Sequence, residues 1–523
     1  MRIHAGGALA WAAVAACGLG GCGWVGAPAG APGVEPLPVQ QQRVYPETVT
    51  GRFVSLADFE DSALTGEPGY RQVGQFILSP QAPGGELKYA VNITRTGVGA
   101  LEAAIPPGSS LVWALPELHN FSPYTLMMFA IYSREIRDDL QIVLTSDKAS
   151  WRSPPLLLKP GWNDIGVDIQ RLMKLEDFDG KGVRAVRLAF GTPERPARGE
   201  GVRINLDDIL LIDNRRRIAP TPPGIKLYKS GLDYELHTEH RAAPFRLTQH
   251  SDGLWRLGDD QAAVELSATG GVRGAAAEVA EDLSVFGRRR VGEVAVLESN
   301  AVRVRLANTW YFPRSAGQWQ SLAIRQIRWE YTFYDDGRQV TDVVINNAGG
   351  EEVRSLRIGV PREAAWSDGS VGRLRGEGSF PASVGRWSWL TTPEAARMRG
   401  YGANFAKPGE IEIRMGKQQA GDGDVAGDGF DESQGCYYLS AKEGHCRFVL
   451  RPPAEGLSDA VIRVGGPWGG RVSASSEGQS LRPLAMTPDG SAVFVVPGRV
   501  SRPVWVEVTA EAPGGAEKGW TGR

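Results

Sequence analysis

The side chains best suited to chemistry fall into a few small groups, and their spacing limits each one. Histidine clusters once, as His237-Thr238-Glu239-His240 with His250 nearby. Positions three apart face opposite sides of a strand and do not match the HExxH helix, so a solvated loop fits better than a metal site. Asp422, Asp424 and Asp428 with Gly427 have the composition of a calcium loop, but Ala426 and Ser433 stand where that loop needs ligands. A flexible acidic loop is the simpler reading. A lyase base and neutralising group can be cast from Asn308, Tyr311, Arg314, Arg328 and Tyr331, and a glycosidase pair from Glu330 with Asp335 or Asp336. Such castings are available in any strand-rich region, because they lack the required paired geometry. There is no GxSxG, Walker loop, GxGxxG after a strand or reactive-cysteine signature, and no organic cofactor is expected.

Cys436 and Cys446 are the only cysteines beyond residue 22. In an exported chain, an isolated pair ten positions apart is most simply a disulfide clasping a hairpin, with two free buried thiols as the alternative. Two ligands alone do not complete a structural zinc site.

The N-terminus carries an address. Met1-Arg2-Ile3-His4 supplies a positive start, and Ala5 to Ala16 is an apolar run, the layout of a signal peptide. Leu19-Gly20-Gly21-Cys22 resembles the lipobox of bacterial lipoproteins, with Val14-Ala15-Ala16-Cys17 as a competing match. The resemblance implies acylation of Cys22 after cleavage and a membrane partner reached through the lipid. Gly23 in place of an aspartate implies the outer membrane or cell surface of a bacterial envelope. Residues 23–50, rich in Gly, Ala and Pro, read as a flexible tether.

The elements that must position these groups are strands. Sixty-six glycines and 34 prolines in 523 residues suit short strands and tight turns, and the length calls for two to four domains. A formal net charge of -2 excludes a global basic field for nucleic acid. The runs Arg215–Arg217 and Arg288–Arg290 read as solvated turns. Alternation predicts strands at Ser109–Leu115, Tyr124–Ser133, Leu140–Thr145, Val183–Phe190 and Val202–Ile212, with a short helix within Asp168–Phe178. Beyond a Pro-rich linker at 216–224, strands return at Ala263–Ala268, Glu293–Ser299, Ala301–Ala307, Ser321–Tyr334, Gln339–Asn346 and Val353–Val360. Thr392-Pro393-Glu394 predicts a short helix stopping at Gly400. The expected fold is all-β: an N-terminal jelly-roll sandwich at 51–215, a large β-sandwich at 225–455, a small C-terminal β-domain at 456–512 and a frayed tail from 513.

The first of these domains has a likeness. Leu56-Ala57-Asp58-Phe59-Glu60-Asp61, Leu158-Lys159-Pro160-Gly161-Trp162-Asn163 and Asn205-Leu206-Asp207-Asp208-Ile209-Leu210, in that order, resemble the galactose-binding-like jelly rolls that include many carbohydrate-binding modules. The resemblance implies a carbohydrate partner. It also implies a structural calcium held by Glu60 and Asp208, with Asp58 and Asp207 as weaker ligands; capping of strand ends by these acids is the equal alternative. Sugar binding in such folds uses exposed aromatic faces, and Trp151 with Arg152, His119 and Asn120 are the candidate ligand-binding residues. Trp113, in phase with Leu111 and Leu115, reads as core, and Trp162 as structural. The large middle region loosely resembles the sandwich of galactose mutarotases and polysaccharide lyase rear domains. The expected function is therefore a lipid-anchored, non-catalytic carbohydrate-binding protein, with a polysaccharide-degrading enzyme or accessory subunit, or a structural envelope protein, as alternatives.

Overall fold

A computed structural model describes residues 37–48, 51–60, 75–175, 177–192, 195–196, 201–249, 254–257, 265–268, 291–313, 325–346, 356–359, 365–366, 384–392, 395–424 and 426–510. Cys17 and Cys22 with the rest of the leader, residues 23–36 of the tether, His250, Arg288–Arg290, Arg314 and the tail lie outside them. No described helix is long and apolar enough to cross a membrane. The described chain is almost entirely antiparallel β-structure in successive two-sheet layers, as the alternation predicts.

The first sandwich is built from β1 (Arg52–Ala57), β2 (Gln75–Ser79), β3 (Glu86–Ala90), β4 (Ala100–Ile105), β5 (Ser110–His119), β6 (Leu126–Ser133), β7 (Arg137–Ser146), β8 (Ser150–Arg152), β9 (Leu156–Leu158), β10 (Gly161–Asp168), β11 (Val183–Thr192), β12 (Arg195–Pro196) and β13 (Val202–Asp213). One sheet runs β10-β6-β13-β4-β3, with β1 pairing the far half of β13. The other runs β2-β5-β11-β7-β8, with β9 also on β7 and β12 on β11. Alternate residues of each strand meet between the sheets: Trp113, Leu144 and Leu188 from one side, Phe129, Ile131 and Leu206 from the other. Burial of such side chains stabilises by roughly 1.5–3 kcal/mol each.

The register of β13 shifts between Asp207 and Leu210, and Asp208 takes a left-handed φ of 48°. The bulge swaps faces, so Ile204 and Leu206 before it and Ile209 and Leu211 after it all enter the core. Leu210 and Ile212 consequently point outward with Leu126 and Met128. That apolar stripe needs a cover, and it corrects the tether: residues 37–48 form α1 (Leu37–Val44) and a 3-10 turn (Pro46–Thr48) laid across it. Tyr45 at its centre is 1% exposed. The predicted helix from Asp168 shrinks to one turn, α2 (Ile169–Leu172), capped by the Asp168 carboxylate accepting from Arg171 N at 2.8 Å.

The second sandwich faces the sheet β14-β15-β16-β17-β18 (Arg216–Ile218, Ile225–Ser230, Asp233–Thr238, Phe245–Gln249, Trp255–Leu257) against a sheet of β20 (Val291–Ser299), β21 (Arg303–Phe312), β22 (Arg325–Tyr334), β23 (Gln339–Asn346), β25 (Ala365–Trp366) and β26 (Val384–Thr391). A separate pair joins β19 (Glu265–Ala268) to β24 (Leu356–Gly359). Ile225, Leu236 and Phe245 meet Trp310, Trp329 and Phe333 in its core. The expected linker is therefore partly strand, since β14 pairs with β15. The first two sandwiches are bolted together: Asn214 and Gly231 exchange two hydrogen bonds of 2.8 and 2.9 Å, Arg171 pairs with Asp233, and Leu232 lies over Gly166.

The third sandwich begins well before the predicted boundary at 455/456. Its sheets are β27-β31-β37-β33-β34 (Glu410–Met415, His445–Arg451, Val504–Ala510, Val472–Ser476, Gln479–Ser480) and β28-β30-β32-β36-β35 (Lys417–Gln418, Cys436–Ser440, Leu457–Gly465, Ala492–Val500, Leu484–Met486), with β29 (Phe430–Asp431) on β30. Its strands upstream of 455 pair with strands beyond it, which no local pattern reveals. The predicted hairpin of Cys436 and Cys446 is corrected for the same reason, because β30 and β31 lie in opposite sheets. Both cysteines are free thiols buried between them. The helix predicted to stop at Gly400 continues as α3 (Ala395–Ala406), because Tyr401 and Phe405 pack into this core.

Candidate functional site

The outer face of the first sheet carries two polar constellations separated by the bulge. Register aligns Trp162, Tyr132, Asn205, Glu102 and Lys88 in one row across β10, β6, β13, β4 and β3. Five strands at the usual spacing make this strip about 19 Å wide. Trp162 and Tyr132 are half-buried and meet edge to face, with centroids 5.5 Å apart. Asn163, in the inward phase, fixes the turn that presents Trp162: its amide donates to Lys159 O and Gly161 O and accepts from Lys159 N. At the other end Glu102 pairs with Arg203 at 3.0 Å and Lys88 at 3.3 Å, while Arg95 pairs with Asp164 of β10, on the Trp162 side of the row. Between the two ends lies Asn205, 5% exposed, whose Nδ2 meets no acceptor among the described residues. An unpaired buried amide hydrogen costs about 1–3 kcal/mol.

The second constellation contains the acids of the calcium expectation. Asp208 accepts from Gln41 Nε2 at 2.8 Å, Tyr45 OH at 3.0 Å and Thr96 Oγ1 at 2.8 and 2.9 Å. Asp207 accepts from Arg95 N at 2.6 Å and from Asp208 N at 2.8 Å. Glu60 accepts from Val98 N at 2.8 Å and Gly99 N at 3.1 Å, and Glu60 N donates to Asp58 at 3.4 Å. The oxygens that a cation would use therefore face N–H and O–H donors, and no group of three His, Cys, Asp or Glu among the described residues is placed to hold a metal. As arranged, these residues do not fit calcium; they close the loop at 94–99 and the N-terminal strap onto the sandwich. Burial pushes the Glu60 carboxyl up to about 6, with Asp58 and Asp208 adding to the rise against the Val98 and Gly99 N–H bonds. Burial raises Asp207 further with the charge of Asp208 beside it, and raises Asp208 despite the Gln41, Thr96 and Tyr45 bonds.

The sequence-predicted ligand residues are not brought together. Trp151 pairs with Leu144 and is half-buried against the core between the sheets, whereas Trp162, equally half-buried, packs on the outer face against the stripe under Tyr45. Arg152 lies on the other face and donates to Gln141 Oε1 at 2.9 Å. His119 and Asn120 end β5, three strands away from β8, and Asn120 Oδ1 accepts from Ser122. Row membership was the missing signal: Trp162 is in the outward phase of β10, but only the cross-strand register puts Tyr132 and Asn205 beside it.

In the second sandwich the residues cast for catalysis are engaged elsewhere. Tyr331 is core, Asn308 donates to Trp255 O, Glu330 is held by Arg305 and Arg328, and Asp335 accepts from Gly224 N. His237 contacts Glu235, while His240 contacts Asp335 O across a sheet edge. The voids found inside the first sandwich and beside α3 measure about 10 and 20 Å³, room for about one water each.

No family model and no curated protein matches this chain. Solved structures resemble part of it. The family 11 carbohydrate-binding module of the cellulosomal cellulase Lic26A-Cel5E of Clostridium thermocellum is 17% identical, covers 31% of this chain and 94% of its own, and has a TM-score of 0.23. The Clostridium thermocellum family 11 module in complex with a β-1,3-1,4-mixed-linked tetrasaccharide is 14% identical over 31% of this chain and 95% of its own, with a TM-score of 0.23. A mutant of the family 29 module CBM29-2 complexed with mannohexaose is 11% identical over 31% of this chain and 92% of its own, with a TM-score of 0.20.

Proposed function

We propose that this protein is a lipid-anchored, non-catalytic component of the bacterial envelope that binds carbohydrate on the outer face of its first sandwich. The row Trp162, Tyr132, Asn205, Glu102 and Lys88 carries this reading. Indole and phenol rings offer apolar faces to the C–H surface of a pyranose. The Asn205 amide and the Glu102 cluster offer donors and acceptors for its hydroxyls, the combination of apolar lining and a few polar groups that selects a small ligand. The membrane attachment rests on the lipobox-like sequence ending in Cys22.

The test is a glycan array probed with the chain beginning at Leu37, followed by titration of each hit. Trp162→Ala is expected to weaken binding at least tenfold, about 1.4 kcal/mol. Equal affinity in this variant would remove the site, and an array without hits would leave a structural role in the envelope as the better reading. Palmitate labelling of the full chain that disappears in Cys22→Ala checks the anchor.

A further inference from the structure

We propose that the outer face of the third sandwich is a second polysaccharide platform, centred on Trp505 and suited to an uncharged, extended pyranose chain. In β37, Val506 and Val508 are fully buried, while Trp505 and Glu507 between and before them point out. Trp505 is 42% exposed, and it is the one exposed indole among the described side chains. It stands on one of the three inner strands of its sheet, opposite Val449 of β31. Val449, its cross-strand partner on the same face, is 5% exposed, so the indole is only partly open, and what it leaves to solvent is an apolar surface on a flat sheet.

The surroundings state what would use it. The guanidinium groups of Arg447 and Arg414 lie 5.0 and 5.7 Å from the ring centroid. Glu412 is shared by Arg414 and Arg451, and Glu477 accepts from Trp505 N at 2.8 Å. Arg447 stands opposite Glu507, which in turn stands opposite Ser475. Three guanidinium groups, of Arg414, Arg447 and Arg451, thus share this neighbourhood with the carboxylates of Glu410, Glu412, Glu477 and Glu507, and the charges nearly cancel. Such a field attracts neither a polyanion nor a polycation. It does supply alternating donors and acceptors for hydroxyl groups around an aromatic face. The face is a flat sheet without walls, which fits a long chain or ordered surface better than a short oligosaccharide.

The test uses the full chain as wild type, Trp505→Ala, Trp162→Ala and the double variant. Retention is measured by affinity electrophoresis in mixed-linkage β-glucan, glucomannan and laminarin, and by sedimentation with cellulose and chitin, with alginate as the charged comparison. At least a threefold loss of retention is expected for Trp505→Ala on one or more uncharged polymers, with alginate unchanged and Trp505→Phe retaining part of the binding. An unchanged thermal midpoint separates this loss from misfolding, because the indole is outside the core. The proposal is overturned if Trp505→Ala matches wild type on every uncharged polymer, if wild type is retained by none, or if only alginate retention falls. It is also overturned if the substitution changes self-association in gel filtration while glycan retention stays the same, which would make the face an interface between copies. An effect of Trp505→Ala without one of Trp162→Ala would sink the first-sandwich site alone.

Discussion

At the scale of single residues, the buried acids of the first sandwich are tied to specific partners, and each tie predicts a measurable cost. Tyr45→Phe removes one of the hydrogen bonds that the buried Asp208 carboxylate accepts. A bond to a charged group is worth about 1.5–3 kcal/mol, which denaturant unfolding of the first sandwich should register. Because the same carboxylates are served by protein donors, chelation should leave the thermal midpoint where saturating calcium leaves it; a rise with calcium would overturn the donor assignment. The Glu60 carboxyl, at about 6 in the fold against its usual 4.5, favours the protonated form when folded. Its contribution to stability therefore grows as pH falls from about 6 to 4.5 and is lost as pH rises through that window. A thermal midpoint that rises in the wild type relative to Glu60→Gln as pH falls from about 6 to 4.5 is the check. The two body cysteines belong to this scale too. Burial pushes Cys446 up to about 12 and Cys436 upward, so neither should react with a thiol reagent in the folded chain. Both should react after denaturation without reductant, whereas a disulfide would hide them.

At the scale of elements, two devices join the layers. The strap of α1 and its 3-10 turn spans the first sandwich through Gln41 and Tyr45, and reaches the second through Glu47 and Lys229 at 2.7 Å. It follows residue 36 directly, so the proposed lipid anchor at Cys22 would pull on an element already fastened to two layers. The second device is the ion pair of Arg303 and Glu298 on the edge of the second sandwich that meets the third, with Arg303 fully buried. Arg303 also donates to Gln434 at 3.0 Å, while Tyr334 OH donates to Gln434 O at 2.6 Å. Arg303 holds the Glu298 carboxyl below its usual range despite the burial that pushes it up. Arg303→Met alone leaves the buried Glu298 carboxylate with only Arg305 at 3.6 Å and the Asn300 amide at 2.6 Å and should cost up to about 3–5 kcal/mol, whereas Arg303→Met with Glu298→Leu should recover most of it. Urea unfolding of the single and double variants measures the difference.

At the scale of the whole molecule, three sandwiches run in series, each sharing a polar contact network with the next. The two candidate glycan faces lie on the first and the third. If both engage one polymer, the second contact becomes intramolecular and retention on long chains should exceed that on oligosaccharides by far more than either face alone supplies. A comparison of hexasaccharide and polymer binding tests this: the double variant of Trp162 and Trp505 should abolish the excess, and either single variant should reduce it to the level of one site.

Much of this was legible in the chain itself. Alternation along β5, β6, β7, β11 and β13 specified strands, because a period of two is a local property of the residues. The same alternation placed Trp113 in the core. What alternation cannot say is which strand lies beside which. That decided that Trp162, Tyr132 and Asn205 form one row, that Cys436 and Cys446 lie in facing sheets, and that the third sandwich begins near residue 410. The bulge at Asp208 is a further case, since it turns Leu210 and Ile212 outward and gives the strap from Leu37 a surface to cover. Long-range pairing belongs to the tertiary structure because its hydrogen bonds are made by backbone groups that every residue carries alike.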